Sequence, residues 1–171
     1  MEIRLLRRED DRSGFRSGSP APDRFFQRHA AQNQFALLIG TTYVAVESER
    51  ILGFATIASA QMEVRDLPSS LQKGFPRYPL PVLRLARLAV DASFQRRGIG
   101  SALLAHVCQL AVQMATTLGG CIGLLVDAKP ESVGFYRAYG FLELDLLNGA
   151  LEDDRPRPVG MILPIAEIPR D

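Results

Sequence analysis

LARLAVDASFQRRGIGSALLAHV, residues 85–107, decides the fold. Its first six residues are apolar enough to read as the end of a strand. From Gly98 the pattern changes: Ile99, Leu103, Val107, Leu110 and Met114 recur at three- and four-residue steps, which predicts a helix over 98–118. Between the two lies Gln95-Arg96-Arg97-Gly98-Ile99-Gly100. The first N–H groups of a helix have no partner inside it, and the helix dipole favours negative charge in front of them. Gly98 and Gly100 allow a tight turn and close approach to the backbone. Gln95, Arg96 and Arg97 add donors at the rim. The stretch therefore predicts a phosphate or pyrophosphate site, against the simpler alternative of a glycine turn without a ligand. It lacks the Lys-Ser/Thr of a P-loop and the third glycine of a dinucleotide fingerprint, so neither an NTPase nor an NAD enzyme fits.

Outward from this turn the chain reads as mixed α/β. EIRLL (2–6) predicts a strand, DRFFQRHAAQNQ (23–34) a helix capped by Asp23, and TTYVAVES (41–48) with ILGFATIASAQMEV (51–64) a hairpin. Residues 65–81 hold four prolines and predict a short helix within an irregular loop. VLRLARLAV (82–90) is the strand before the turn. CIGLLVDA (121–128) is an apolar run, as in a strand buried on both faces. PESVGFYRAYG (130–140) opens with proline and closes with glycine, as helices do. FLELDLL (141–147) and VGMILPI (159–165) predict two final strands. The 171 residues suit one domain, 1–171.

Charge is unevenly spread. Of 20 basic residues, 18 are arginine, and the net charge is +1. Residues 1–30 hold seven arginines; residues 65–97 hold six arginines and Lys73 against Asp66 and Asp91. Arginine forks suit phosphate recognition, although solvated arginines would give the same count. Cys108 and Cys121 lie apart from any His/Cys cluster, so neither a metal site nor a disulfide framework is expected. No run of about 18 apolar residues and no signal-peptide core is present, so neither a membrane span nor export is expected, and a cytoplasmic location follows.

LAVDASFQRRGIGSALL resembles the acetyl-CoA motif of the GCN5-related N-acetyltransferase (GNAT) superfamily, Q/R-x-x-G-x-G/A after a strand. LLVDAKPESVGFYRAYGF (124–141) resembles that family's downstream strand and helix. The resemblance implies a single-domain GNAT fold: a twisted, mostly antiparallel seven-stranded sheet, splayed between its fourth and fifth strands and flanked by helices. It implies acetyl-CoA as donor. The pantetheine arm would bond the backbone of Leu88, Ala89 and Val90 like an added strand, and the pyrophosphate would sit on Gln95, Arg96, Arg97, Gly98, Ile99, Gly100 and Ser101. An amide-bearing cofactor can indeed pair with an exposed strand edge.

Acetyl transfer needs a neutral amine, a polarised thioester carbonyl and a proton for the departing thiolate. Tyr136 matches the GNAT tyrosine that approaches the sulfur, with Phe135 beside it, and a backbone N–H near Val90 would polarise the carbonyl. Tyr139 reads as structural. No base stands out. His29, Glu63 and Asp66 are candidates, and His106 is expected on the exposed face of its helix. An α-amine has a pKa of about 7.7–8.0 against about 10.4 for lysine, so such an acceptor needs little help.

FRSGSPAPDRFFQRHAAQNQ (15–34) is similar to the N-terminal pattern of GNAT toxins from bacterial toxin–antitoxin pairs, and RYPLPVLRLARLAVD (77–91) to their approach into the cofactor strand. Pro22 stands where that family often has leucine. This resemblance implies acetylation of the α-amine of aminoacyl-tRNA, which blocks translation, a ribbon–helix–helix antitoxin as partner, and a homodimer. Arg77, Arg84 and Arg87 are candidates for tRNA phosphates. The alternatives are a GNAT enzyme acting on a small amine, antibiotic or peptide amine, and an acetyl-CoA-binding protein without catalysis.

Overall fold

The alternation in TTYVAVE sends Thr42, Val44 and Val46 to one buried face, and that face builds the first of two compact units. The computed structural model describes residues 1–144 and 157–170. Contacts divide the chain into Met1–Ala58 with Leu85–Gln109, and Ser59–Arg84 with Leu110–Asp171. The strands are β1 (Glu2–Leu5), β2 (Thr41–Glu47), β3 (Arg50–Met62), β4 (Leu80–Val90), β5 (Gly123–Ala128), β6 (Leu142–Glu143) and β7 (Val159–Pro164). They form a seven-stranded sheet in the order β1-β2-β3-β4-β5-β7-β6. Its pairs are mostly antiparallel; β4 and β5, joined through a helix, run parallel.

In the first unit, β1 pairs with β2 and β2 with β3, with a bulge between Ala45 and Val46. Ser48 and Glu49 both take positive φ, 49° and 65°, at the hairpin tip, the twist that a two-residue turn requires. The core holds Leu6, Val44, Val46, Ile51 and Ala89 around three phenylalanines. Phe26 stacks on Phe54 at 4.3 Å, and Phe15 meets both edge-on at 5.0 and 5.4 Å. Burying each ring contributes about 1.5–3 kcal/mol. Phe26 comes from α1 (Pro20–Arg28), which starts before the expected position. Pro20 and Pro22 sit in its first turn, where a missing N–H costs nothing. Ser19 is the cap, not Asp23. The buried Asp23 carboxylate instead accepts from Ser17 N at 2.9 Å and Ser17 Oγ at 2.6 Å. The helix breaks at His29 and continues as α2 (Ala30–Gln32) and a wide turn, Asn33–Leu37.

In the second unit, Met62, Leu67, Leu80, Val82 and Ile162 form the core, with Leu71, Ile122 and Leu125 against it. The short helix in the proline-rich stretch is α3 (Ser69–Gln72). β7 pairs antiparallel with β5, Leu124 opposite Leu163 and Val126 opposite Met161, and with β6 through Leu142 and Ile162. Leu124, Val126 and Ala128 are buried, as the apolar run implied, but Asp127 of the same strand is exposed. Of the strand expected over 141–147, Leu142–Glu143 is formed, and residues 145–147 lie outside the described residues.

α4 (Ile99–Thr117) is the longest helix. By length and composition it could cross a membrane, which an uninterrupted apolar run would not have revealed because Ser101, His106, Gln109 and Gln113 punctuate it. Leu103, Leu104, Val107 and Ala111 on it are fully buried inside the protein.

Candidate active site

The anion turn is braced from both sides. At the end of β4, Ala89 is buried, and Leu88 and Val90 are half-buried. Asp91 donates its N–H to Leu52 O at 2.8 Å. Its buried carboxylate accepts from Ser93 N at 3.0 Å and from Arg16 N at 3.2 Å. Gln95 Nε2 donates to Ser17 O at 2.8 Å and to Val90 O at 3.0 Å. The sequence suggested Gln95 as a phosphate donor; the structure spends both of its amide hydrogens on backbone carbonyls. These two bonds tie the turn to the end of β4 and to Ser17.

Arg96 then takes φ 64° and Gly98 φ 79°, and the first helical bond runs from Ala102 N to Gly98 O at 3.0 Å. Among the described residues, and apart from the adjoining backbone, no heavy atom lies within 4 Å of where a Cβ on Gly98 would stand, and at Gly100 the nearest is Val90 Cγ2 at 3.7 Å. The backbone in front of α4 is therefore open to a ligand. No acidic residue stands in the first turn of α4. Arg96 and Arg97 are exposed, and Arg97 lies 5.3 Å from the Phe94 ring centre. These features fit a pyrophosphate: the positive end of a helix dipole, two exposed arginines and no acidic residue in the first helical turn.

Gly53 of β3 supports the same strand end. A Cβ there would come within 3.0 Å of Ala89 O, 3.1 Å of a Leu103 methyl and 3.2 Å of an Ile99 methyl. Only glycine lets β3 approach this closely.

In the second unit, α5 (Val133–Ala138) carries Phe135 and Tyr136. Tyr136 is buried, with Phe135 edge-on at 5.1 Å and Phe141 at 5.2 Å. Burial pushes its phenol up to about 12. Tyr139 is exposed and packs on Phe135 at 5.2 Å, a structural placement.

The three arginines suggested for phosphate contact differ. Arg84 pairs with Asp127 at 2.5 Å, both side chains about half exposed. Arg87 lies over the Phe25 ring at 4.8 Å and donates to Ala86 O. Arg77 lines a cleft of about 500 Å³ with Glu63, Arg65, Lys73 and Phe75. A second basic cleft of about 440 Å³, not evident from the sequence, gathers Arg16, Arg24 and Arg28 around α1.

His106 is not on an open face. It packs against Tyr43 at 4.7 Å, and its buried Nε2 has no hydrogen-bond partner among the described residues. Burial lowers its pKa, which favours the neutral ring. Cys108 and Cys121 are buried free thiols with raised pKa, Cys108 to about 11, which makes them unreactive.

Residues 39–143 match the family model described as acetyltransferase (GNAT) domain. The chain belongs to the GNAT acetyltransferases. It is therefore an N-acetyltransferase that uses acetyl-CoA. This GNAT chain is 33% identical to a tRNA-acetylating toxin of Mycobacterium tuberculosis (strain ATCC 25618 / H37Rv) over 133 residues, 77% of this chain and 78% of the relative. It is also similar to the solved structure of AtaT complexed with acetyl-methionyl-tRNAfMet: TM-score 0.83, 28% identity, 98% of this chain and 96% of the other. A tyrosine-to-phenylalanine mutant of the toxin AtaT, bound to the C-terminus of the antitoxin AtaR and acetyl-CoA, gives TM-score 0.74 at 22% identity, covering 98% and 94%.

Proposed function

We propose that this protein, as one domain over 1–171, is a toxin that acetylates the α-amino group of aminoacyl-tRNA and so blocks translation. The likeness to AtaT in complex with acetyl-methionyl-tRNAfMet, over nearly the whole of both chains, is the observation that carries it. The tRNA-acetylating relative, at 33% identity, points to the same chemistry.

When bound, acetyl-CoA supplies the activated acetyl group. The residues assigned to hold it are Gln95–Ser101 for the pyrophosphate and the backbone of Leu88, Ala89 and Val90 for the pantetheine arm, with Phe135 beside it. Gln95 acts by shaping the turn, and the N–H groups of Gly98, Ile99, Gly100 and Ser101, with Arg96 and Arg97, make the contacts. Tyr136 holds a phenolic proton throughout the physiological range, since burial raises its pKa to about 12. It donates that proton at Oη to the departing sulfur. The same desolvation would raise the thiolate's affinity for protons and narrow the gap between donor and acceptor. No base is required of the chain, because the acceptor amine is substantially neutral near pH 8.

The acceptor's phosphates call for cations, and Arg77, Arg84 and Arg87 are assigned to them. The Asp127 pair of Arg84 is exposed and exchangeable, so it does not remove that residue from the set. A ribbon–helix–helix antitoxin and a homodimer complete the proposed assembly, in the cytoplasm where charged tRNA is found. AtaT, solved with its antitoxin AtaR, is the support for an antitoxin. Induced expression tests the proposal: translation and growth should stop, and Tyr136→Phe should restore both. Continued growth on expression of soluble wild-type protein would contradict it.

A further inference from the structure

The segment Lys73-Gly74-Phe75-Pro76-Arg77-Tyr78-Pro79 is exposed along its whole length, with Phe75 37% and Tyr78 60% accessible. An apolar ring costs free energy in water, and here Phe75 stands between Lys73 and Arg77, with Tyr78 next to Arg77. The loop is not loose. Gln72 Nε2 donates to Leu67 O at 2.8 Å, Phe75 N to Gln72 O at 3.4 Å and Tyr78 N to Pro76 O at 3.0 Å. Gly74 takes φ 94°, a turn other residues resist. Behind the tip, Leu67 and Leu71 pack with Met62, Leu80 and Val82. The rings are thus held out on a braced support. Phe75 also walls the cleft of about 500 Å³, where Arg65, Lys73 and Arg77 face one carboxylate, Glu63.

Cations that follow a phosphate backbone, interleaved with exposed aromatic faces, are what an unpaired nucleic-acid strand requires; a duplex buries its base faces and cannot stack on them. We propose that Phe75 and Tyr78 form a stacking platform for the unpaired 3′ end of the tRNA, with Arg65, Lys73 and Arg77 on its phosphates. The segment leads directly into β4, the strand assigned to the acetyl donor. This inference rests on the tRNA reading above.

The test uses the full chain and the variants Phe75→Ala, Tyr78→Ala and the pair, with Phe75→Tyr and Tyr78→Phe as conservative controls. Two quantities are read: KM and kcat for charged tRNA, and binding of a fluorescent ACCA tetranucleotide against a blunt RNA duplex of similar charge. Each alanine variant should raise KM for charged tRNA roughly 5- to 100-fold. It should leave kcat and the KM for acetyl-CoA within about twofold, which also reports an intact fold. The tetranucleotide should lose affinity in parallel, the duplex should not, and the conservative variants should behave as wild type. Wild-type activity on charged tRNA with no change in the double alanine variant overturns the platform alone. Unchanged tRNA kinetics with weakened antitoxin binding makes the loop a protein-docking face and also overturns it. A wild type that acetylates no charged tRNA overturns both the platform and the tRNA reading.

Discussion

Gln95 Nε2 reaches back 3.0 Å to the carbonyl of Val90, so the strand assigned to the pantetheine arm and the turn assigned to the pyrophosphate are tied by one side chain. The second hydrogen of the same amide goes to Ser17 O at 2.8 Å. Gln95→Ala should therefore loosen the turn without removing a ligand contact. The loss of two hydrogen bonds, about 1 kcal/mol each, predicts a KM for acetyl-CoA raised about 5- to 30-fold with kcat nearly unchanged. Gln95→Glu keeps the size but cannot donate to two carbonyls, so it should behave like alanine or worse. Steady-state kinetics in acetyl-CoA check this.

Tyr136→Phe removes only the phenolic oxygen from a buried ring that packs on Phe135 and Phe141. Packing is retained, so the thermal midpoint should move by a few degrees at most. The acid function is lost, and kcat should fall about 10²- to 10⁴-fold while acetyl-CoA binding is kept. Wild-type activity in the variant would reduce Tyr136 to a core residue.

The pH profile has a definite sign. A phenol raised to about 12 remains protonated across the working range, so it adds no falling limb below about pH 11. The rising limb belongs to the acceptor amine, whose pKa lies below the value of about 7.7–8.0 of an ordinary α-amine because the ester withdraws electrons. Log kcat/KM should climb with unit slope up to that pKa and then stay level to about pH 10. A bell with its falling limb near pH 9 would assign the proton to another group.

Salt dependence separates the arginines. If Arg77, Arg84 and Arg87 each neutralise one phosphate, replacing any one with alanine should lower the slope of log KM against log salt by about one. Arg84 provides the internal comparison. Its exposed pair with Asp127 is worth no more than about 1 kcal/mol to stability, so Arg84→Ala should hardly change the melting temperature.

Much of this was legible in the sequence because local patterns carried it. The strand–turn–helix around Gly98 follows from apolar periodicity and two glycines, and α4 begins at Ile99, one residue from its expected start. The hairpin of β2 and β3 followed from alternation and a polar turn. Long-range partners were not legible. Nothing local says that β7 inserts between β5 and β6, because that order depends on pairings across distant parts of the chain. The Gln95 clamp likewise joins residues 78 positions apart, so the sequence could not show it. Asp23 resembled a helix cap, but two prolines moved the helix start upstream and left its carboxylate to Ser17. His106 sat at a position whose burial depends on Tyr43 of β2, which helical spacing alone cannot report.

The most direct measurement follows radiolabel from acetyl-CoA into a pool of charged tRNA, hydrolyses the aminoacyl ester with mild base, and identifies the labelled species released. Acetylation of the α-amine predicts label in N-acetylamino acid, dependent on prior charging and abolished by Tyr136→Phe. Label retained on the RNA, or transfer to small amines with none to any charged tRNA, would contradict the account.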